Sequence, residues 1–215
     1  MMVQQFFVNL VNRANLPCTV MNYRPLVRRY FDWKYRKEDP YGVLSRTRDT
    51  RYQEMLNLLP YSRYAKALDV GCGEGAFCEM LLAVCDRVTG IDISTSAIQR
   101  AQQKYESWSR LEFTATDILH ASLTQDYDLI VCAEILYYLN RKQLRILIPR
   151  LTEWLLPGGH LMVGNIKQIR SAAGFFRSHI RGDELNNFFI NYETFAKASE
   201  LDRGSDVVTL FRKRV

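Results

Sequence analysis

The sequence predicts an α/β fold, a doubly wound and mostly parallel sheet with helices on both faces. Two observations carry that prediction. From Ala65 onward, short apolar runs alternate with stretches of helical spacing, and the first apolar run ends in "GCGEG", three glycines at alternate positions that give way to a helix. Alternating strands and helices close a parallel sheet through right-handed crossovers. A chain of 215 residues with 47% hydrophobic side chains is long enough for one sizeable core.

Taken in order, "AKALDV" (65–70) is a short buried strand that stops at Gly71. "EGAFCEMLLAVC" (74–85) spaces Phe77, Met80, Leu81 and Val84 as a helix does. "DRVTGIDI" (86–93) is the second strand, and Ser94 or Thr95 caps a helix over 96–108. "LEFTATDI" (111–118) alternates as a third strand, and "YDLIVCAEIL" (127–136), almost wholly apolar, is a central fourth. Asn140 caps the next helix, 141–155, which Pro149 is expected to kink or split because proline lacks the amide donor and clashes with the preceding turn. "PGG" (157–159) ends that helix, and "HLMVGN" (160–165) is the fifth strand. "VVTLFRKR" (207–214) reads as a last strand, antiparallel and at an edge because its end is cationic.

Charge and composition narrow the function classes. The net charge is +6, and residues 1–66 hold 12 Lys/Arg against 5 Asp/Glu whereas the rest hold 17 against 18. The basic excess is N-terminal, where "RRYFDWKYRK" mixes charge with aromatics in the manner of a helix face covering the core or a substrate mouth. No nucleic-acid recognition motif accompanies it, so a nucleic-acid partner is not expected. No apolar run reaches membrane-spanning length, the start carries no basic leader or cleavage site, and cytoplasmic residence is the expectation. The cysteines at 18, 72, 78, 85 and 132 form no C-x-x-C pair, and no histidine stands near them at zinc-ligand spacing.

In sheets of this kind a ligand sits beyond the carboxyl ends of the strands, where strand order reverses, and the glycine loop is there. Gly71, Gly73 and Gly75 let backbone approach a ligand where a side chain would collide, with Cys72 between them, and Asp92 ends the second strand where a ribose-binding acid belongs. Those features fit NAD and S-adenosyl-L-methionine alike. Three further ones favour the second: Asp69 ahead of the loop, placed to meet an ammonium; Asp117 closing the third strand, placed to reach an adenine amino group; and the "LLPGGHL" turn. A donor bearing sulfonium, ammonium and carboxylate needs carboxylate and backbone partners, and Asp92 is suited to accept from both ribose hydroxyls.

Together these residues resemble class I S-adenosylmethionine-dependent methyltransferases from about residue 65 to the C-terminus, with "LDVGCGEG" (68–75) the most specific part. The resemblance implies a Rossmann-like fold with seven strands and an antiparallel edge strand. It places residues 51–215 in the donor-binding domain, behind a basic helical extension or cap at 1–50. It also implies S-adenosyl-L-homocysteine as product and adds Arg51, Ile93, Ile118 and Ala133 to the donor-binding set. "EDPYG", "DLIVCAEILYYL", "LLPGGHLMVGN" and "SHIRGDEL" are similar to the nodulation protein S family, whose members N-methylate the free amine of a chitin-like oligosaccharide. The chain departs from that pattern at Tyr41, where Trp is expected, and the likeness thins over 1–35 and 165–200.

An amine of an amino sugar or oligosaccharide is therefore the expected acceptor, with O-methylation of a small carboxyl or hydroxyl compound as the alternative within enzymes and a non-catalytic nucleotide-binding module as the alternative outside them. Glu134, Tyr137 and Tyr138 leave the fourth strand toward the acceptor, and His179 lies with Glu184 in the segment expected to shape its pocket. Some relatives bind a metal through Glu-x-x-Glu-His here; the run Glu134 to Tyr138 lacks those ligands, and no metal is expected. His160 is expected to be structural and His120 a surface residue.

Overall fold

Residues along each strand point alternately to opposite faces, and here both faces are apolar. In β1 (Tyr64–Val70), Leu68 and Val70 pack to one side and Ala67 to the other; in β4 (Tyr127–Ala133), Ile130 and Cys132 oppose Leu129 and Val131. Such strands need cover on both sides, which fixes the layered architecture. The computed structural model describes residues 24–36, 40, 46–124, 126–167, 180 and 182–215. Helices α1 (Arg24–Lys34) and α2 (Arg46–Asn57) precede β1, followed by α3 (Ala76–Leu81), β2 (Cys85–Asp92), α4 (Thr95–Lys104), β3 (Leu111–Ala115) and β4. After a 3-10 turn at Leu136–Tyr138 come α5 (Arg141–Trp154), β5 (Leu155–Ile166), α6 (Gly182–Ile190), β6 (Phe195–Asp202) and β7 (Asp206–Lys213).

The sheet has the order β3-β2-β1-β4-β5-β7-β6, with the first five strands parallel and β7 antiparallel to both its neighbours. Strand order reverses between β1 and β4. One core layer combines Leu144, Leu147, Ile148 and Leu151 of α5 with Leu185 and Phe189 of α6; the other combines Met55 of α2 with Phe77 and Leu81 of α3 and Ile98 and Ala101 of α4. No helix of the described residues is long and apolar enough to cross a membrane.

Several boundaries differ from the sequence expectation. The strand over 207–214 is antiparallel but lies inside the sheet, because Val207, Val208, Leu210 and Phe211 are buried; the edge belongs to β6, whose polar residues alternate outward. Pro149 splits nothing: α5 runs through it, with the proline on the exposed face and Leu147, Ile148 and Leu151 holding the helix to the core. The "PGG" stretch lies within β5, in an irregular pairing where Tyr127 faces Leu155 and Leu129 faces His160. The first crossover helix is shorter, 76–81, and β3 and β4 end at Ala115 and Ala133, which leaves Asp117 and Glu134 in the turns beyond them.

Both helix caps are as the sequence suggests. Ser94 Oγ accepts from Ala97 N, and Asn140 forms a capping box with Gln143 in which each side chain bonds the other's backbone amide. Asn140→Ala is expected to lower unfolding stability by about 1 kcal/mol through loss of that cap, measured by urea denaturation.

Candidate functional site

The cavity begins where β1 stops. Gly71 N and Cys72 N donate to the Ile91 carbonyl at 2.7 and 3.1 Å, which prolongs the β1–β2 pairing by one step before the chain turns. Gly71 and Gly73 then adopt φ of 76° and 56°, a left-handed conformation that side chains disfavour. A Cβ at Gly71 would stand 2.6 Å from Ile135 Cδ1, and one at Gly73 would stand 2.5 Å from the Tyr35 hydroxyl. The loop is therefore bare main chain on the side that faces a cavity of about 860 Å³, a size suited to a small-molecule ligand.

Asp92, 8% exposed, is oriented by this loop: Gly73 N donates to Oδ2 at 3.1 Å and Ser94 N to Oδ1 at 2.8 Å. Burial pushes its carboxyl up to about 6, against the pull of those two amides, first Ser94 and then Gly73. Asp69, 3% exposed, lies one layer back. It does not line the cavity, and Cys78 Sγ donates to its Oδ2 at 3.2 Å. Burial raises its carboxyl to about 7; the Cys78 bond opposes that rise and the nearby Asp92 charge adds to it.

The opposite wall comes from the N-terminal helices. Val27 and Phe31 of α1 pack with Tyr35 on Ala97, and Phe31 meets Tyr138 edge-to-face at 5.1 Å. Asp32 ties α1 to the start of α4, accepting from Ser94 Oγ at 2.8 Å and Ser96 N at 3.1 Å. Arg24 reaches Asp117 with two bonds, Nε to Oδ2 at 2.5 Å and Nη2 to Oδ1 at 2.8 Å. Burial alone would raise the Asp117 carboxyl, but this fork, with Leu119 N at 3.1 Å, holds it below its ordinary range.

At the far end, Glu134 follows β4 with φ 59°, the one positive φ at a non-glycine among the described residues. Such a conformation costs about 1–2 kcal/mol and recurs at functional sites. Arg51 Nη2 donates to Glu134 Oε1 at 2.5 Å, and Tyr137 Oη donates to Oε2 at 3.0 Å. Burial would lower the Arg51 guanidinium; Glu134, and after it Asp206, outweigh that effect and leave it above its usual value.

Of the residues singled out from sequence, the cavity brings together Arg51, Gly71, Cys72, Gly73, Asp92, Ile93, Ile118, Ala133, Glu134, Tyr137 and Tyr138. Asp69, Gly75 and Asp117 stand behind it: Gly75 opens α3 at φ 83° with its backbone against Phe113, and Asp117 is engaged by Arg24. His179 lies outside the described residues, and Glu184 pairs instead with Arg141. His160 is buried beside Tyr64, 3.1 Å from its hydroxyl, and His120 is exposed. Sequence reasoning read "RRYFDWKYRK" as a helix face over the core or a substrate mouth, as Phe31 and Tyr35 are, but named none of Arg24, Val27, Phe31 and Tyr35, all of which line the cavity.

The residues fit the expected donor. The Asp92 carboxylate, of the kind a pair of ribose hydroxyls calls for, is preset by loop amides, the main chain is left bare by left-handed glycines, and Ile93 and Ile118 supply apolar flanks.

Comparison with known proteins gives the same direction. The family model described as nodulation protein S matches residues 24–184. The chain is 36% identical over 161 residues to nodulation protein S of Sinorhizobium fredii strain NGR234, across 74% of this chain and 72% of that one. It is 31% identical over 172 residues to nodulation protein S of Rhizobium tropici, across 77% and 71%. Among solved structures it is similar to the N-methyltransferase NodS of Bradyrhizobium japonicum WM9 in complex with S-adenosyl-L-homocysteine, with a TM-score of 0.73, 29% identity, and 86% of this chain and 97% of that one covered.

The burial of Asp69 has a pH signature. The folded chain keeps its carboxyl protonated up to about pH 7, whereas an unfolded chain releases the proton near 4. The resulting stability is complete below the unfolded value and is lost as pH rises through about 7. In urea unfolding of the protein without added ligand, Asp69→Asn is expected to flatten the fall in stability between pH 4 and 7.

Proposed function

Since the chain belongs to the nodulation protein S family and is an S-adenosylmethionine-dependent methyltransferase, we propose that its acceptor is the amine of an amino sugar or of an amine-bearing oligosaccharide, which it N-methylates. When bound, the donor supplies a methyl group carried on a sulfonium, and the carbon–sulfur electron pair stays with sulfur in the product S-adenosyl-L-homocysteine.

On this reading the two halves of the cavity divide the work. Asp92 accepts from the ribose hydroxyls, and the main chain of Gly71 to Gly73 borders the donor's amino-acid end. Ile93 and Ile118 flank the adenine. Asp69 supports the glycine loop from behind through Cys78. Asp117, occupied by Arg24, ties α1 to the adenine end.

The acceptor half is Glu134, Tyr137 and Tyr138, and on this reading Arg51, expected from the sequence on the donor, serves Glu134 instead. An acceptor amine must give up a proton before its lone pair attacks, and little chemistry beyond alignment and desolvation is then needed. Glu134 retains lone pairs on both carboxylate oxygens after serving Arg51 and Tyr137, so it can take an N–H of the acceptor. Phe31 and Tyr138 present an aromatic corner against which the face of a sugar ring can pack. The observation that carries the reading is the pair of opposed ends in one cavity, a backbone-and-carboxylate end at Asp92 and a carboxylate-and-phenol end at Glu134.

Two measurements test it. Asp92→Ala is expected to weaken donor binding by about 1.5–3 kcal/mol, the scale of hydrogen bonds to a charged group, read by calorimetry. Radiolabelled S-adenosylmethionine supplied with glucosamine-terminated oligosaccharides, their N-acetylated counterparts and small carboxylic acids is expected to label only the free amines; label on a hydroxyl or carboxyl instead would overturn the acceptor assignment.

A further inference from the structure

Arg51 is shared by two carboxylates, of which only Glu134 lines the cavity. While Nη2 serves Glu134 Oε1, Nε stands 3.0 Å from Asp206 Oδ2. The side chains of Arg51, Glu134 and Asp206 are only 15%, 24% and 10% exposed, so one cation between two anions leaves surplus negative charge where water screens it weakly. Of the other arginines on the wall, Arg24 pairs with Asp117 and Arg100 with Glu74.

Topology delivers Asp206 to this place. Strand β7 runs antiparallel to β5 and pairs Ile166 with Asp206, so its first residue comes to the rim where the parallel strands end. Ser205 Oγ, 3.0 Å from Asp206 Oδ1, helps to hold it.

We propose that Asp206 is a positioning residue that sets the charge of the acceptor end. Paired with the guanidinium by charge, Nε to Oδ2 at 3.0 Å, it shares the cation and leaves Glu134 incompletely neutralised. The acceptor end thereby selects a group that arrives as an ammonium over a neutral hydroxyl or a carboxylate. Removing Asp206 turns Arg51 and Glu134 into a closed, neutral pair, and the preference disappears. This rests on the amine-acceptor reading above.

The test uses the full chain with S-adenosylmethionine and glucosamine as acceptor probe. Asp206→Asn is expected to raise KM for the amine about tenfold at low salt, on the scale of one partly screened charge, with kcat changed less than about threefold. Affinity for S-adenosyl-L-homocysteine should stay unchanged, and Asp206→Glu should restore KM. An unaltered KM, or a donor affinity that falls in parallel, overturns the proposal.

If the Asn variant does not fold, the unmodified protein decides. With S-adenosyl-L-homocysteine bound, calorimetry should rank glucosamine above glucose and glucose above glucuronate; an equal or inverted ranking overturns the charge assignment. A protein that ranks the ligands so, yet methylates no amine, refutes the acceptor reading while the charge assignment of that end stands.

Discussion

In the proposed donor site Asp92 must be buried, charged to accept from a ribose, and held still, and these demands conflict unless the main chain supplies its partners. Removing a carboxylate from water is costly without hydrogen bonds, and the burial that lifts its pKa to about 6 shows that cost in this fold. The amides of Gly73 and Ser94 meet it. Gly73 N can reach Asp92 only because the loop turns back through left-handed residues directly after β1, and it can turn there only because β1 and β2 end level, with Val70 paired to Ile91. Parallel pairing, glycine conformation and carboxylate orientation are thus one constraint expressed at three levels, and the switch in strand order beside β1 opens the crevice above it.

The N-terminal charge asymmetry has its explanation in the same region. Two arginines of the basic third, Arg24 and Arg51, are directed at acids of the sheet ends, Asp117, Glu134 and Asp206. An excess of cations in one segment and a slight deficit in the rest is what such cross-chain pairing leaves in the sequence. The aromatic residues interleaved with those cations are buried against Ala97 and Tyr138 in the same docking. The segment reads as basic by composition, but its cations at the cavity wall face protein carboxylates.

The end proposed for the donor was legible from sequence because it is local. Gly71, Cys72, Gly73 and Asp92 fall within 22 positions and line the cavity, each with a reason tied to backbone geometry that survives without coordinates, whereas Asp69 and Gly75, chosen on the same grounds, stand behind it. Strands β1, β2 and β4 were legible because burial on both faces makes them continuous apolar runs. Strand β6 was not: "FAKASELD" alternates polar residues outward, as an edge strand does, and it has the look of a surface loop. Pro149 misled because its effect depends on which helix face it occupies, and that face is set by tertiary packing. Asp117 lies beyond the end of β3 and behind the cavity, engaged by an arginine 93 residues away, which no local pattern indicates.

The contrast between the two ends of the cavity bears on how such an enzyme changes substrate. The donor end depends on consecutive elements, β1 through the turn after β3, and any substitution there disturbs backbone as well as binding. The end proposed for the acceptor is assembled from α2, the turn after β4 and the start of β7, which are distant in sequence and meet through side chains. Glu134 is an exception, since its left-handed backbone is held by the hydrogen bond its amide donates to the Gly164 carbonyl at 2.7 Å. Around that fixed carboxylate, the charge and shape presented to an acceptor can change one side chain at a time while the sheet and the donor loop stay as they are. On that proposed division, residues 51, 138 and 206 are where the acceptor end can be altered while the glycine loop is kept.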